Sequence, residues 1–130
     1  MVKIIGPNDR DCGTAQTPGM EREAGISAKL TGAEGLWMGI ARNEAGGVSG
    51  VHHHGATESG IYVVKGHMRF RWGDNLENVA DAEAGDFIFV PPWEVHMEEN
   101  LDKDAPTEFL LARNSQEAVV VNVPDPRIPK

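Results

Sequence analysis

The sequence predicts an all-β protein, built as a sandwich, a barrel or a jelly roll. The 15 glycines and 8 prolines are spread along the chain and separate short apolar runs. No stretch of more than about ten residues shows the apolar period of an α-helix. Many short strands joined by close turns in a chain of 130 residues are typical of these architectures.

Short runs rich in β-branched and aromatic residues are expected to form the strands, and each is bounded by Gly, Asp, Asn or Pro. The runs are 36–42, 60–65, 67–72, 86–91, 107–113 and 117–123. In the third run, Met68, Phe70 and Trp72 alternate with polar residues, which favours a strand with one buried face. Residues 64–67 are expected to form the turn between two paired strands.

The chain reads as a single domain, since no repeat or linker divides it. Residues 1–33 are polar and are expected to form an irregular arm with a possible edge strand, with a turn at Thr17-Pro18-Gly19. The β domain is expected to span residues 34–124, and residues 125–130 are expected to form a tail.

Charge and cysteine content exclude several classes of partner. Twelve Lys and Arg against 20 Asp and Glu give a net charge of −8, which repels nucleic acid and anionic lipid surfaces. No apolar run is long enough to span a bilayer. Cys12 is the only cysteine, and the N-terminal residues lack the apolar core of a signal peptide. We therefore expect a cytoplasmic protein that binds neither nucleic acid nor membranes.

Three consecutive histidines, His52, His53 and His54, stand out in the sequence. On an extended strand His52 and His54 point to the same face, so two imidazoles converge. A divalent transition metal binds imidazole nitrogens and carboxylate oxygens at about 2.0–2.2 Å. Glu58 and His96 are candidates for the remaining ligands, whereas the ordinary alternative is a solvated loop of histidines.

These residues resemble the two motifs of the cupin superfamily. The first motif is met by Gly46, the His-x-His pair His52 and His54, and a closing Gly66. The second motif follows about twenty residues later, as in small single-domain bacterial cupins. It is carried by Gly85, Pro91, His96 and Asn100.

The resemblance implies a double-stranded β-helix, or jelly roll, that holds one divalent metal inside the mouth of the barrel. It also implies that His52, His54, Glu58 and His96 bind this metal. Fe, Mn, Ni, Cu and Zn all remain chemically acceptable.

Two positions depart from the family pattern. Glu58 lies one residue early, so the glutamate position of the motif falls on Ser59. An inward Glu58 would bring Gly60 and Tyr62 to the same face, and a bulge could still let it reach the metal. An inward Ser59 would instead bring Ile61 and Val63 inward, and then three histidines and water would hold the metal.

The second departure is Trp93, which replaces the motif glycine; either that turn avoids a positive φ or its neighbours have adjusted. The candidate pocket residues are Tyr62, Met38, Trp93, Met97 and Arg113. The ordinary alternatives are core packing for Met38, a buried aromatic for Tyr62 and a solvated edge charge for Arg113. Carboxylates near His96 that point inward would favour a neutral or cationic ligand over an anion.

The resemblance favours a small metal-dependent enzyme, most plausibly an iron dioxygenase that oxidises a small organic molecule. Alternatives are a non-catalytic protein that binds a metabolite or a metal, and a Lewis-acid isomerase or lyase of sugar-like substrates. Because small cupins commonly pair through their sheets or N-terminal strands, we also expect a homodimer.

Overall fold

A computed structural model describes residues 1–14, 16 and 20–129 of the chain, and in it nearly all regular structure is β. The strands are β1 (Met20–Ile26), β2 (Trp37–Asn43), β3 (His52–His53), β4 (Ser59–Lys65), β5 (His67–Trp72), β6 (Asn78–Glu83), β7 (Phe87–Val90), β8 (His96–Glu99), β9 (Thr107–Arg113) and β10 (Val121–Asn122). One short helix, α1 (Ala28–Thr31), begins after Ser27, whose hydroxyl accepts a hydrogen bond from the Leu30 N–H. No helix in the described part of the chain is long and apolar enough to cross a membrane.

The strands form two five-stranded antiparallel sheets that pack face to face. The first sheet has the order β1-β2-β9-β4-β7, and the second has the order β10-β3-β8-β5-β6. Apart from the pairs β1–β2 and β5–β6, neighbours in each sheet are not consecutive in the chain, as the crossovers of a jelly roll require. The prediction of an all-β jelly roll is therefore confirmed.

Strict alternation of side chains produces the core between the sheets. In β4, Ser59, Ile61 and Val63 are buried, whereas the residues between them are partly exposed. Two large side chains pack against this row: Phe109 of β9, in the same sheet, and Met68 of β5, in the opposite sheet. Because side chains on a strand alternate with period two, the strands that form this core each turn one row of side chains inward.

The observed strands differ from the predicted runs mainly where charged residues interrupt the apolar alternation of a strand. β1 contains Glu21, Arg22 and Glu23, and β8 contains two glutamates, so neither has an apolar alternation that sequence reasoning would detect. β1 pairs with β2 as an edge strand, within the N-terminal segment that was expected to be irregular with a possible edge strand. The predicted run 117–123 forms only the two-residue strand β10. The turn predicted at residues 17–19 lies outside the described residues.

Candidate metal centre

Three histidines from distant parts of the chain meet between the two sheets. His52 and His96 are directly opposite each other in the pairing of β3 with β8, and His54 follows β3 on the same face as His52. One ligand nitrogen from each of the three lies within 4.8 Å of the others. His52 and His96 are buried, and His54 is partly buried. The alternative of a solvated histidine loop is therefore wrong for this segment.

Each of these imidazoles is held by a hydrogen bond from its Nδ1 to a backbone carbonyl. His52 Nδ1 lies 2.7 Å from the Gly50 carbonyl. His54 Nδ1 lies 2.8 Å from the Val119 carbonyl, and His96 Nδ1 lies 2.9 Å from the Glu94 carbonyl. A carbonyl only accepts, so each Nδ1 carries a proton, and in a neutral ring the lone pair is then on Nε2. This pairing orients metal-binding histidines in proteins.

The protonation states of His52 and His54 suit metal binding. Burial lowers the pKa of His54 to about 4, even though the Val119 carbonyl favours its charged form. Burial also lowers the pKa of His52, because desolvation disfavours the charged imidazolium. Both rings are therefore neutral at physiological pH, as metal ligation requires.

A buried carboxylate, Glu98, stands beside the third histidine. One Glu98 oxygen, Oε1, lies 3.5 Å from His96 Nε2, and both side chains are almost completely buried. Burial alone would raise the pKa of Glu98, but its contact with His96 outweighs that effect and holds the pKa far below its usual value. Burial alone would likewise lower the pKa of His96, and the Glu98 carboxylate reverses this and raises it. Glu98 is therefore ionised in the interior of the protein.

The residues present fit a divalent transition metal. His96 Nε2 and Glu98 Oε2 are buried and have no hydrogen-bond partner among the described residues. Leaving such atoms unpaired is costly, and a cation between them removes that cost. Imidazole nitrogens with at most one carboxylate suit Fe, Mn, Ni, Cu or Zn.

Glu58 does not join this group, and the expectation that it binds the metal is not met by the structure. Its side chain is exposed, and its backbone N–H donates to Asn114 Oδ1 at 3.0 Å. Ser59 instead takes the inward position, together with Ile61 and Val63. The one-residue offset is therefore not absorbed by a bulge, and strand parity turns the motif carboxylate to solvent.

Trp93 keeps the backbone conformation of the glycine that it replaces. Its φ is 65°, in the left-handed region, and its N–H donates to the Gly55 carbonyl at 2.7 Å. The indole is mostly exposed and packs beside His53, with ring centroids 5.8 Å apart. The turn therefore does not avoid a positive φ, and a large side chain occupies a conformation that favours glycine.

Of the five candidate pocket residues, only Arg113 lines the cavity beside the histidines. Its guanidinium lies over the Trp37 ring at 4.0 Å, and burial lowers its pKa to about 10. Tyr62 and Met38 lie on the outer face of the first sheet, because residues of the opposite parity face inward. Met97 is buried in a separate apolar cluster on the other face of β8, and Trp93 is outside the cavity.

Two charged strand residues that line the cavity, Arg22 and Glu98, were not among the predicted site residues. Both lie on charged strands, where a polar residue would ordinarily be assigned to solvent. The signal for Glu98 is its position two residues after His96, which places both on one face of β8. For Arg22, the corresponding signal is its place between the buried Met20 and Ala24.

Two spaces in the protein reach His96. The inner cavity, of about 50 Å³, also contacts His54, Glu98, Arg22 and Arg113. A larger groove of about 320 Å³ lies between β6 and β7, the adjacent edge strands of the two sheets. Its walls include Phe70, Trp72, Ala82, Ile88 and Val90. Of the three histidines, His96 therefore borders both the inner cavity and this mainly apolar groove.

Sequence comparison identifies the family of the chain, and structure comparison identifies its fold. The profile of the cupin domain family matches residues 39–113. Among proteins of curated function, none matches the chain significantly by sequence.

Solved structures with similar folds share 15–22% of their residues with this chain. The polyketide cyclase RemF from Streptomyces resistomycificus has a TM-score of 0.77 and 22% identity, covering 97% of this chain and 90% of that one. A double-stranded β-helix protein from Klebsiella pneumoniae has a TM-score of 0.70 and 15% identity, over 95% and 99% of the two chains. Oxalate decarboxylase from Lactobacillus farciminis has a TM-score of 0.70 and 20% identity, over 84% and 32%. The matched segment contains both histidine-bearing motifs, and the chain belongs to the cupin family.

Proposed function

We propose that this cupin is a metal-dependent enzyme that oxidises a small organic molecule with dioxygen. The observation that carries the proposal is the set of three Nε2 atoms of His52, His54 and His96, each ring fixed through Nδ1. These three imidazoles would hold an iron ion, which would supply oxidation of a small organic substrate by dioxygen. The chain's own residues fix the rings, exclude bulk water and admit the substrate.

The groove between β6 and β7 supports a neutral substrate with a flat apolar body. Its volume of about 320 Å³ lies at the lower end of the range usual for small-molecule sites. Phe70 and Trp72 offer ring surfaces, and the Phe70 ring is nearly parallel to that of His96, with centroids 6.1 Å apart. Asp81, Asp86 and Glu94 also line the groove and disfavour an anion.

The test begins with elemental analysis of protein purified without a tag. Oxygen consumption is then measured after iron is restored, with a panel of catechols, diketones and amino thiols. We expect stoichiometric metal and oxygen uptake with a ring-containing neutral chelator. Full metal content with no oxygen uptake from any member of the panel would contradict the oxidase chemistry.

Lewis-acid chemistry without dioxygen is the second candidate function. It is supported by the similarity to RemF, a polyketide cyclase whose fold overlaps 97% of this chain. Substrate loss that proceeds equally under nitrogen would favour this candidate. A non-catalytic role would instead give tight binding with no product in either atmosphere. Sugar phosphates fit less well, because the groove that reaches His96 has an acidic lining.

We also propose that the protein forms a homodimer through the outer face of the first sheet. Ile40, Leu110, Tyr62 and Phe87 stand side by side across this face in the strand register. Phe87 and Phe89 are 82% and 63% exposed, and contiguous apolar surface of this kind marks an interface. Light scattering is expected to give twice the chain mass of 14.1 kDa, and a particle of one chain mass would exclude the dimer.

A further inference from the structure

We propose that Glu98 supplies the carboxylate ligand of the metal, in the role that the family motif gives to Glu58. The inference rests on the metal site proposed above and changes its composition from three imidazoles to three imidazoles and one carboxylate. It concerns a residue of β8, two positions after His96. Three observations carry it: Glu98 contacts the Nε2 atom of His96, the distance between Glu98 Oε1 and that atom suits shared ligation, and the Glu98 side chain is buried.

Glu98 contacts the nitrogen of His96 that is free to bind a metal. His96 Nδ1 is already occupied by the Glu94 carbonyl at 2.9 Å, so Nε2 is the nitrogen that remains for a metal. Carboxylates that only orient a metal-binding histidine contact the nitrogen that is not bound to metal. Glu98 Oε1 lies on the opposite side, 3.5 Å from Nε2. This position is that of a second ligand, not of an orienting group.

The distance also agrees with shared ligation. Two ligands bound to one ion at about 2.0–2.2 Å are separated by roughly 3.0–3.5 Å in octahedral or tetrahedral geometry. The observed separation between Glu98 Oε1 and His96 Nε2 is 3.5 Å. Glu98 is not within the 4.8 Å group formed by the three histidines, so its carboxylate must turn toward His52 and His54. The terminal torsion of a glutamate is broad enough to permit this turn.

Burial makes an unpaired Glu98 costly to the protein. The residue is 5% exposed, and its Oε2 has no hydrogen-bond partner among the described residues. Its backbone is fixed, because its N–H donates to Ser49 Oγ at 2.9 Å and its carbonyl accepts from the Ser49 N–H at 2.9 Å. A buried anion held in this way is stabilised by a cation placed beside it. Glu58, in contrast, is exposed and has water available to both oxygens.

The two glutamates give a matched pair of variants, Glu98→Gln and Glu58→Gln. Zinc affinity is measured by competition with a chelator of known affinity, and cobalt-loaded protein is measured by visible absorption. We expect Glu98→Gln to weaken zinc binding at least about tenfold and to change the cobalt ligand-field bands. Glu58→Gln is expected to leave both the affinity and the bands as in the unchanged protein.

The cobalt spectrum separates ligation from a purely electrostatic contribution of Glu98. An unchanged spectrum in Glu98→Gln, even with weaker zinc binding, would overturn the proposal. An altered spectrum in Glu58→Gln would also overturn it. If Glu98→Gln does not fold, Glu98→Asp keeps the charge but shortens its reach, and an unchanged cobalt spectrum there contradicts ligation. Absence of metal from the unchanged protein would refute the proposed function itself, whereas a metal site indifferent to Glu98 would refute only this inference.

Discussion

Residues 52–59 and residues 93–98 both bring histidine to the same cavity, but they depart from the family pattern in opposite ways. In the first segment a side chain is out of place: Glu58 faces solvent while Ser59 faces inward. In the second segment the side chain is the departure, since Trp93 adopts a φ of 65°, a backbone conformation that favours glycine. A strand cannot correct a shift of one residue, because parity decides the face. A turn tolerates the wrong residue at a moderate energetic cost.

The largest expected effect comes from removing one histidine of each segment. His52→Ala and His96→Ala should each abolish stoichiometric metal binding, because each removes a nitrogen that no neighbour replaces. His53→Ala is the matched control, since the His53 ring accepts the Gly55 N–H through Nδ1 and does not belong to the cluster. The metal content of each variant is measured by elemental analysis after dialysis. Full metal content in both of the first two variants would disprove the site.

A smaller effect is expected from restoring a carboxylate at the motif position. Ser59→Glu places an anion on the inward face of β4, at the cavity that His54 and His96 line. We expect the metal affinity to rise about tenfold, or about 1.4 kcal/mol. The metal-free protein should lose about 3 kcal/mol of its free energy of unfolding, since a buried charge without a partner is costly. Calorimetry with and without zinc measures both changes.

Glu58→Ser is the control for that variant. It removes the exposed glutamate and should change neither the metal affinity nor the stability by more than about 0.5 kcal/mol. A loss of metal affinity in Glu58→Ser would show that the outward carboxylate reaches the ion.

The smallest effect concerns the turn at Trp93. Trp93→Val should lower the free energy of unfolding by about 1 kcal/mol, because a β-branched residue is strongly disfavoured at positive φ. Trp93→Gly should be at least as stable as the unchanged protein, because glycine adopts this φ without strain. Urea unfolding of the three proteins gives the comparison. If the glycine variant were the least stable, packing of the indole on His53 would outweigh the strain.

The sequence predicted the fold and the three histidines because both depend on local spacing. His52 and His54 share a face wherever the chain is extended, and His96 follows a recognisable turn. Spacing places Glu98 on the same strand face as His96, but which face of β8 is buried depends on the packing of the two sheets, which spacing alone does not express. Tyr62 and Met38 were assigned to the pocket by composition, whereas the register places them on the outer face. The cytoplasmic setting inferred from the single Cys12 stays a prediction.

The carbonyl contacts of the three imidazoles have a consequence for the end of the chain. Two of the rings are held by carbonyls two residues upstream, but the acceptor for His54 lies 65 residues further along, at Val119. Side-chain substitution cannot delete a main-chain acceptor, so only a change in the path of the chain releases a ring. Displacing the stretch around Val119 would free one imidazole and leave the other two in place. The stretch around Val119 therefore fixes the orientation of one imidazole of the cluster from a distant part of the chain.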